Sequence, residues 1–147
     1  MADCILSKIA KKQIKAHIFY EDDEFISFLD INPITEGHSL LIPKKEAETI
    51  HDLDEKQQKA LGTAIYNVSE ILKKKYGINI SILNTSGKES GQSVPYFHIH
   101  LVPRKKEDRL WEGEKSKVIY DRSSGFKRLS PSKQILEKIC KELKNLR

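Results

Sequence analysis

Residues 91–104 read GQSVPYFHIHLVPR, and what the chain folds into turns on how this run is read. Residues 96–102 are aromatic, β-branched or aliphatic apart from two histidines set two apart, which is the composition of a strand. Side chains alternate between the faces of a strand, so Tyr96, His98 and His100 share one face and Phe97, Ile99 and Leu101 the other. One face suits a core, and its opposite carries two imidazoles and a phenol. Pro103 lacks a ladder donor and Arg104 is charged, so the strand is predicted to stop there. Upstream, Gly91, Gln92 and Ser93 form a polar turn able to set backbone N–H groups and a hydroxyl beside the histidine face.

Three readings fit two histidines on one strand face. The pair is a solvated surface with no chemistry; or it belongs to a metal site, which needs further ligands; or one imidazole attacks an electrophile while the other binds the charge that develops. His17, His38 and His51 are scattered and form no second cluster to complete a metal site.

Working outward, 147 residues predict one domain, 1–147, with a core that needs no staples. No apolar run approaches the roughly 18 residues of a membrane span, and the first residues lack the pattern of a secretory signal. Cys4 and Cys140 match no disulfide framework, so reduced thiols and a cytoplasmic location are expected. The net charge of +5 and pI of about 9.1 suit a phosphate-bearing ligand. The lysines are interleaved with acids and no aromatic-plus-arginine stripe marks a base-stacking platform, so no nucleic acid is expected.

Ile5, Leu6, Ile9 and Ala10 are spaced for one face of a short N-terminal helix. Residues 17–20 and 25–31 read as strands around an acidic turn, and 39–42 as a third strand ended by Pro43. Asp30 reads as a turn-former and His38 as a structural or pocket-edge residue. Over 54–76, Leu61, Ala64, Ile65, Val68, Ile71 and Leu72 recur at helical spacing, with an Asp54–Gln57 capping box and Gly77 as the stop. Residues 78–83 read as a central strand and 85–90 as a flexible polar loop. Ser130 and Pro131 are predicted to open a last helix whose buried stripe runs through Ile135, Leu136, Ile139, Cys140, Leu143 and Leu146. Trp111 is expected to pack structurally, or to meet a partner or substrate.

The run 91–104 resembles the signature of the histidine triad family, His-φ-His-φ-His-φ-φ (φ apolar) preceded by Gly-Gln-x-Val. Gly91, Gln92, Ser93 and Val94 match, the middle histidine falls on His98 and the last on His100, and Tyr96 stands at the first triad position. FLDINP (28–33), GHSLLIPK (37–44) and Asn84 follow in family order, so the resemblance spans residues 4–104 and leaves 105–147 as a tail. It implies an α+β fold, an antiparallel sheet of about five strands crossed by one long helix, with short N-terminal and C-terminal helices. It also implies a purine nucleotide as substrate. Ile5, Leu6, Ile9, Phe28 and Ile31 would wall the base, Asp30 would accept the ribose hydroxyls, and Asn84, Gly91, Gln92 and Tyr96 would complete the pocket. His98 would act as nucleophile at the α-phosphorus, with His100, Ser93 and backbone amides near Gln92 on the phosphate oxygens. No cofactor is implied. Some relatives hold a structural zinc, but here Ser7, Glu46 and Tyr96 replace its ligands beside Cys4, so no metal is expected. The family also implies a homodimer with joined sheets. A binding module with weakened catalysis and a His-x-His metalloprotein remain as alternatives.

Overall fold

The acidic turn starts the sheet: Asp22 Oδ1 accepts the backbone N–H groups of Glu24 and Phe25 at 2.8 and 2.7 Å. It folds β1 (Ile18–Glu21) back on β2 (Phe25–Leu29). A computed structural model of the chain describes residues 4–112, 115–116 and 128–147. In it β3 (Ser39–Pro43), β4 (Ile80–Leu83) and β5 (Ile99–Pro103) complete a five-stranded antiparallel sheet in the order β1-β2-β3-β5-β4. The fold is α+β, as the resemblance implies.

Register decides what each face carries. Phe28 lies opposite Leu40, and Leu40 opposite His100, so these three side chains share a face. That face is covered by α1 (Ile5–Ala10): Leu6 and Ile9 pack with Ile26, Phe28, Leu40, Ile42 and Tyr96. The other face presents Phe25, Leu29, Leu41, Phe97, Ile99 and Leu101 to α2 (Glu55–Tyr76), which contributes Ala64, Val68, Ile71 and Leu72. The long helix begins with the capping box read from sequence. Asp54 accepts the Gln57 N–H at 2.9 Å, and the Gln57 side chain accepts the Asp54 N–H at 2.7 Å. Lys73, Lys74 and Lys75 sit in its last turn, where the helix dipole favours cations. The C-terminal α3 (Lys133–Lys144) adds Leu136, Ile139, Cys140 and Leu143 to the same core.

Gly37 makes the turn into β3 possible. Its φ is +87°, and a Cβ there would stand 2.4 Å from the Tyr76 ring of α2. Only glycine combines that backbone with so close an approach.

Several expectations need correction. Residues 96–98 precede the strand rather than belonging to it, although the alternation of faces persists: Tyr96 joins the α1 cluster and Phe97 the α2 cluster. β4 is an edge strand, not a central one, and its exposed Ile82 shows why alternation alone misled. α3 starts two residues later than expected, capped by Ser132, whose Oγ accepts the Ile135 N–H at 3.2 Å. Ile5 and Ile135 are exposed, not buried on their helices. The loop 85–90 holds a 3₁₀ turn, Lys88–Ser90, tied by Ser90 Oγ donating to the Ser86 and Gly87 carbonyls. Trp111 opens a two-residue strand, β6 (Trp111–Glu112), paired with β7 (Lys115–Ser116). The packing of its side chain lies outside what the structure describes.

Candidate active site

The β2–β3 ladder runs on past its strands, because Asp30 N–H donates to the His38 carbonyl at 2.9 Å. Asp30 and His38 lie two residues beyond the Phe28–Leu40 pair, so period two puts both on the face that carries His100. The side chains meet. His38 Nε2 lies 2.9 Å from His100 Nδ1 and 3.8 Å from Asp30 Oδ2, and the rings of His98 and His100 are 5.0 Å apart, edge to face.

Partners fix the protons. His98 Nδ1 lies 2.6 Å from the Tyr96 carbonyl, which can only accept. Nδ1 therefore carries the proton and Nε2 has a bare lone pair. His38 Nδ1 accepts the Ile34 N–H at 3.0 Å, so its Nε2 carries the proton and donates to His100 Nδ1. His100 is left with its proton on Nε2, as a donor. One ring thus offers a nucleophile and its neighbour a hydrogen bond. Burial lowers His98 below the usual imidazole range, against the opposing pull of the Tyr96 carbonyl and the Asp30 charge, so the bare form dominates at neutral pH.

The surrounding frame holds these rings rather than competing for them. Asn84 Nδ2 donates to the His98 carbonyl at 2.9 Å and its Oδ1 accepts from Ser86 Oγ, so both ends of an expected sugar or phosphate ligand are engaged in positioning. Gln92 spans the neighbouring loop, accepting the Gly87 N–H and donating to the Glu48 and Val94 carbonyls. The expectation for the Gly91 and Gln92 amides is corrected: they donate to the Lys88 and Gly87 carbonyls, not outward. Ser93 is exposed beside them. Tyr96 is corrected as well. Its ring is 0% exposed and its hydroxyl donates to the Pro43 carbonyl at 2.7 Å, so it supports the site from beneath.

Leu6, Ile9 and Phe28 form a buried apolar floor, while Ile5 (53%) and Ile31 (56%) expose their side chains to solvent. The residues at the zinc positions do not fit a tetrahedral ion. Ser7 Oγ donates to Glu46 Oε1 at 3.0 Å, Tyr96 is turned to Pro43, and Cys4 alone offers sulfur.

A model of the HIT domain matches residues 11–107. The chain is a member of the HIT family. This HIT protein is 39% identical over 112 residues to an uncharacterized HIT-like protein of Borreliella burgdorferi, covering 74% of this chain and 80% of that one. It is 34% identical over 113 residues to the adenylylsulfatase HINT3 of Arabidopsis thaliana, covering 76% and 57% of the two chains. Among solved structures, a hypothetical histidine triad nucleotide-binding protein of Sulfolobus tokodaii superposes with a TM-score of 0.77 at 26% identity, over 97% and 91% of the chains. The HIT family includes nucleotide hydrolases. Among the described residues no helix is long and apolar enough to cross a membrane.

The sequence reads His38 only as a structural or pocket-edge residue and does not single out Arg128, although both belong to this HIT site. His38 has the parity of Leu40, but its contact with His100 depends on a register that joins residues 62 apart. Arg128 donates to Asp30 Oδ2 at 3.1 Å from a segment with no motif.

Burial keeps the HIT protein's inner rings neutral. His38 falls well below the usual imidazole value of 6.5, and His100 falls to about 3, with the charges of neighbouring histidine and Arg128 adding to desolvation. The unfolded chain takes up these protons near pH 6.5 and the folded one does not, so stability is full above that pH and declines as pH falls towards 3. Each ring contributes a slope of at most about 1.4 kcal/mol per pH unit. Urea midpoints should therefore drop between about pH 7 and about pH 5, and equal midpoints would contradict the neutral-ring assignment.

Proposed function

We propose that this protein is a nucleotide hydrolase or transferase that cleaves at the α-phosphorus of purine nucleotides, acting on nucleoside phosphoramidates or dinucleoside polyphosphates. The observation that carries the reading is the Nδ1–H of His98 committed to the Tyr96 carbonyl, which leaves Nε2 bare. Nε2 attacks the α-phosphorus, a P–N bond forms, and the leaving group departs with the electron pair of the broken bond. The ring becomes cationic, a charge offset by the Tyr96 carbonyl and the nearby Asp30 carboxylate. Water then attacks phosphorus, the P–N pair returns to Nε2, and the proton that water loses to solvent balances the one the leaving group takes up. His100 donates to a non-bridging oxygen through Nε2–H, and the exposed Ser93 hydroxyl is assigned to the leaving group. Phosphoryl-type transfer of this kind rests on positioning and fixed donors.

A 34% identical relative named as an adenylylsulfatase supports a nucleotidyl substrate. The base rests on the Leu6–Ile9–Phe28 floor between Ile5 and Ile31, and Asp30 takes the sugar. The whole of 1–147 serves as one domain on this reading, since α3 enters the same core as the sheet. The outer edge of β4 meets no strand among the described residues and Ile82 is exposed, which supports a homodimer in which two sheets join, because an unpaired strand edge invites pairing. A cytoplasmic location agrees with the unpaired cysteines.

The testing experiment is turnover of adenylyl-lysine, adenosine phosphoramidate and diadenosine tri- and tetraphosphate by the purified protein. Hydrolysis of at least one to AMP is expected, and none on any member would reject the reading. The same assay separates an enzyme from a weakened binding module. Because the backbone carbonyl at position 96 orients His98, the side chain there matters little to the chemistry. Tyr96→His should leave turnover within about tenfold, roughly 1.4 kcal/mol of barrier. A dead or a hundredfold faster variant would show that the side chain takes part.

A further inference from the structure

Arg128 reaches the site from 98 residues away in sequence. Its Nη1 donates to Asp30 Oδ2 at 3.1 Å and to the Asn32 carbonyl at 3.2 Å, and the next residue, Leu129, donates its N–H to the Pro33 carbonyl at 2.9 Å. The other Asp30 oxygen, Oδ1, accepts the Asn32 N–H at 2.8 Å. The carboxylate is therefore held at both oxygens. Each oxygen has two lone-pair sites, so each keeps one acceptor position, and two acceptors side by side match a vicinal diol.

We propose that Arg128 is a positioning residue for the nucleoside sugar, holding the Asp30 carboxylate ionised and aimed so that its remaining acceptor sites meet the two ribose hydroxyls. The inference rests on the nucleotide reading above and extends it to the C-terminal segment, which becomes a wall of the sugar site. The need for such a residue is physical. Burial raises the Asp30 carboxyl above its ordinary value, and the Asn32 N–H and the Arg128 charge offset only part of that rise. Among the described residues, the charged or titratable groups around Asp30 are His38 at 3.8 Å, His98 within electrostatic reach, Arg128 itself, and Glu36 on the lining of the cavity of about 350 Å³ that Asp30, His38 and Leu129 also line. Both histidines are held towards neutrality. Arg128 supplies the permanent positive charge in contact with the carboxylate.

Two measurements on the full chain test it: the carbon-13 titration of the Asp30 carboxyl in the free protein, and equilibrium binding of AMP. In Arg128→Gln, Asp30 should titrate at higher pH than in the wild type. AMP should bind roughly tenfold more weakly, with part of the loss recovered in Arg128→Lys. If Arg128 works through Asp30, the same substitution in an Asp30→Asn background should change AMP affinity by less than about twofold. An unmoved Asp30 titration, equal losses in both backgrounds, or tighter AMP binding (the arginine blocking the sugar) would each overturn the proposal. A wild-type protein that fails to bind AMP while Asp30 still responds to Arg128 would overturn the nucleotide reading and the sugar role with it, and leave the Arg128–Asp30 coupling standing.

Discussion

His98→Ala is expected to lower turnover by at least on the order of 10⁴-fold, a barrier increase of roughly 5 kcal/mol. The size follows from the role. A ring that becomes bonded to phosphorus has no substitute, and water attacking directly would lack both the nucleophile and the oriented Nδ1–H. The fold should survive, because His98 contributes a single hydrogen bond to a backbone carbonyl, and the buried clusters on either side of the sheet remain. His98→Ala that unfolds with the wild-type midpoint and no longer hydrolyses substrate fits this account. Activity within a hundredfold of wild type would not. His98→Gln makes a useful companion, since its amide fills the space without offering a nucleophile.

Asp108→Ala carries the largest expected cost to stability. Arg104 follows directly on β5, and its guanidinium makes a two-pronged contact with Asp108, Nε to Oδ2 at 2.7 Å and Nη2 to Oδ1 at 3.0 Å, while Nη1 donates to Ser81 Oγ on β4 at 3.0 Å. Asp108 also accepts the N–H groups of Lys105 and Leu110. Burial pushes its carboxyl up, and the Arg104 guanidinium with these N–H groups outweighs it, so the group is held below the usual carboxylate range. Both side chains are almost wholly buried. Removing the acid takes from a buried arginine its two-pronged charge contact with Asp108, which costs roughly 3–5 kcal/mol, whereas replacing both by apolar residues of similar size should cost much less. Urea unfolding of Asp108→Ala and of an Arg104→Met, Asp108→Leu pair checks this. A single-variant loss under about 1 kcal/mol would place the pair with ordinary surface bridges.

Local signals in the chain were legible and long-range ones were not. The Asp54–Gln57 box and the lysines of the last turn announce α2 because every contact involved lies within one or two helical turns. The parity of Tyr96, His98 and His100 is likewise local, and it assigns the faces correctly even where the ladder has not begun. The start of the last helix, read at Ser130 and Pro131, falls two residues on, where the Ser132 Oγ accepts the Ile135 N–H. The His38–His100 bond, by contrast, needs the β3–β5 register, and the Arg128–Asp30 bond needs the path of the tail, neither of which periodicity encodes. β4 read as central because residues 78–83 alternate, yet its outer edge meets no strand among the described residues.

Tyr96 shows how a departure from a motif can be chemically quiet. At that position the backbone carbonyl does the work at His98, while the side chain fills the α1 cluster and satisfies its hydroxyl on Pro43. The motif position thus carries a structural duty here, and the proton arrangement at the nucleophile is independent of which ring occupies it.

The most direct test is to mix the protein with a slow adenylyl substrate, quench under alkaline conditions that preserve phosphoramidate bonds, and map the modified peptide by mass spectrometry. An adenylyl group on the peptide containing His98, bonded through Nε2 and absent in His98→Ala, is the predicted result. Full turnover with no nucleotide on any histidine, or with the group on His100, would contradict the account.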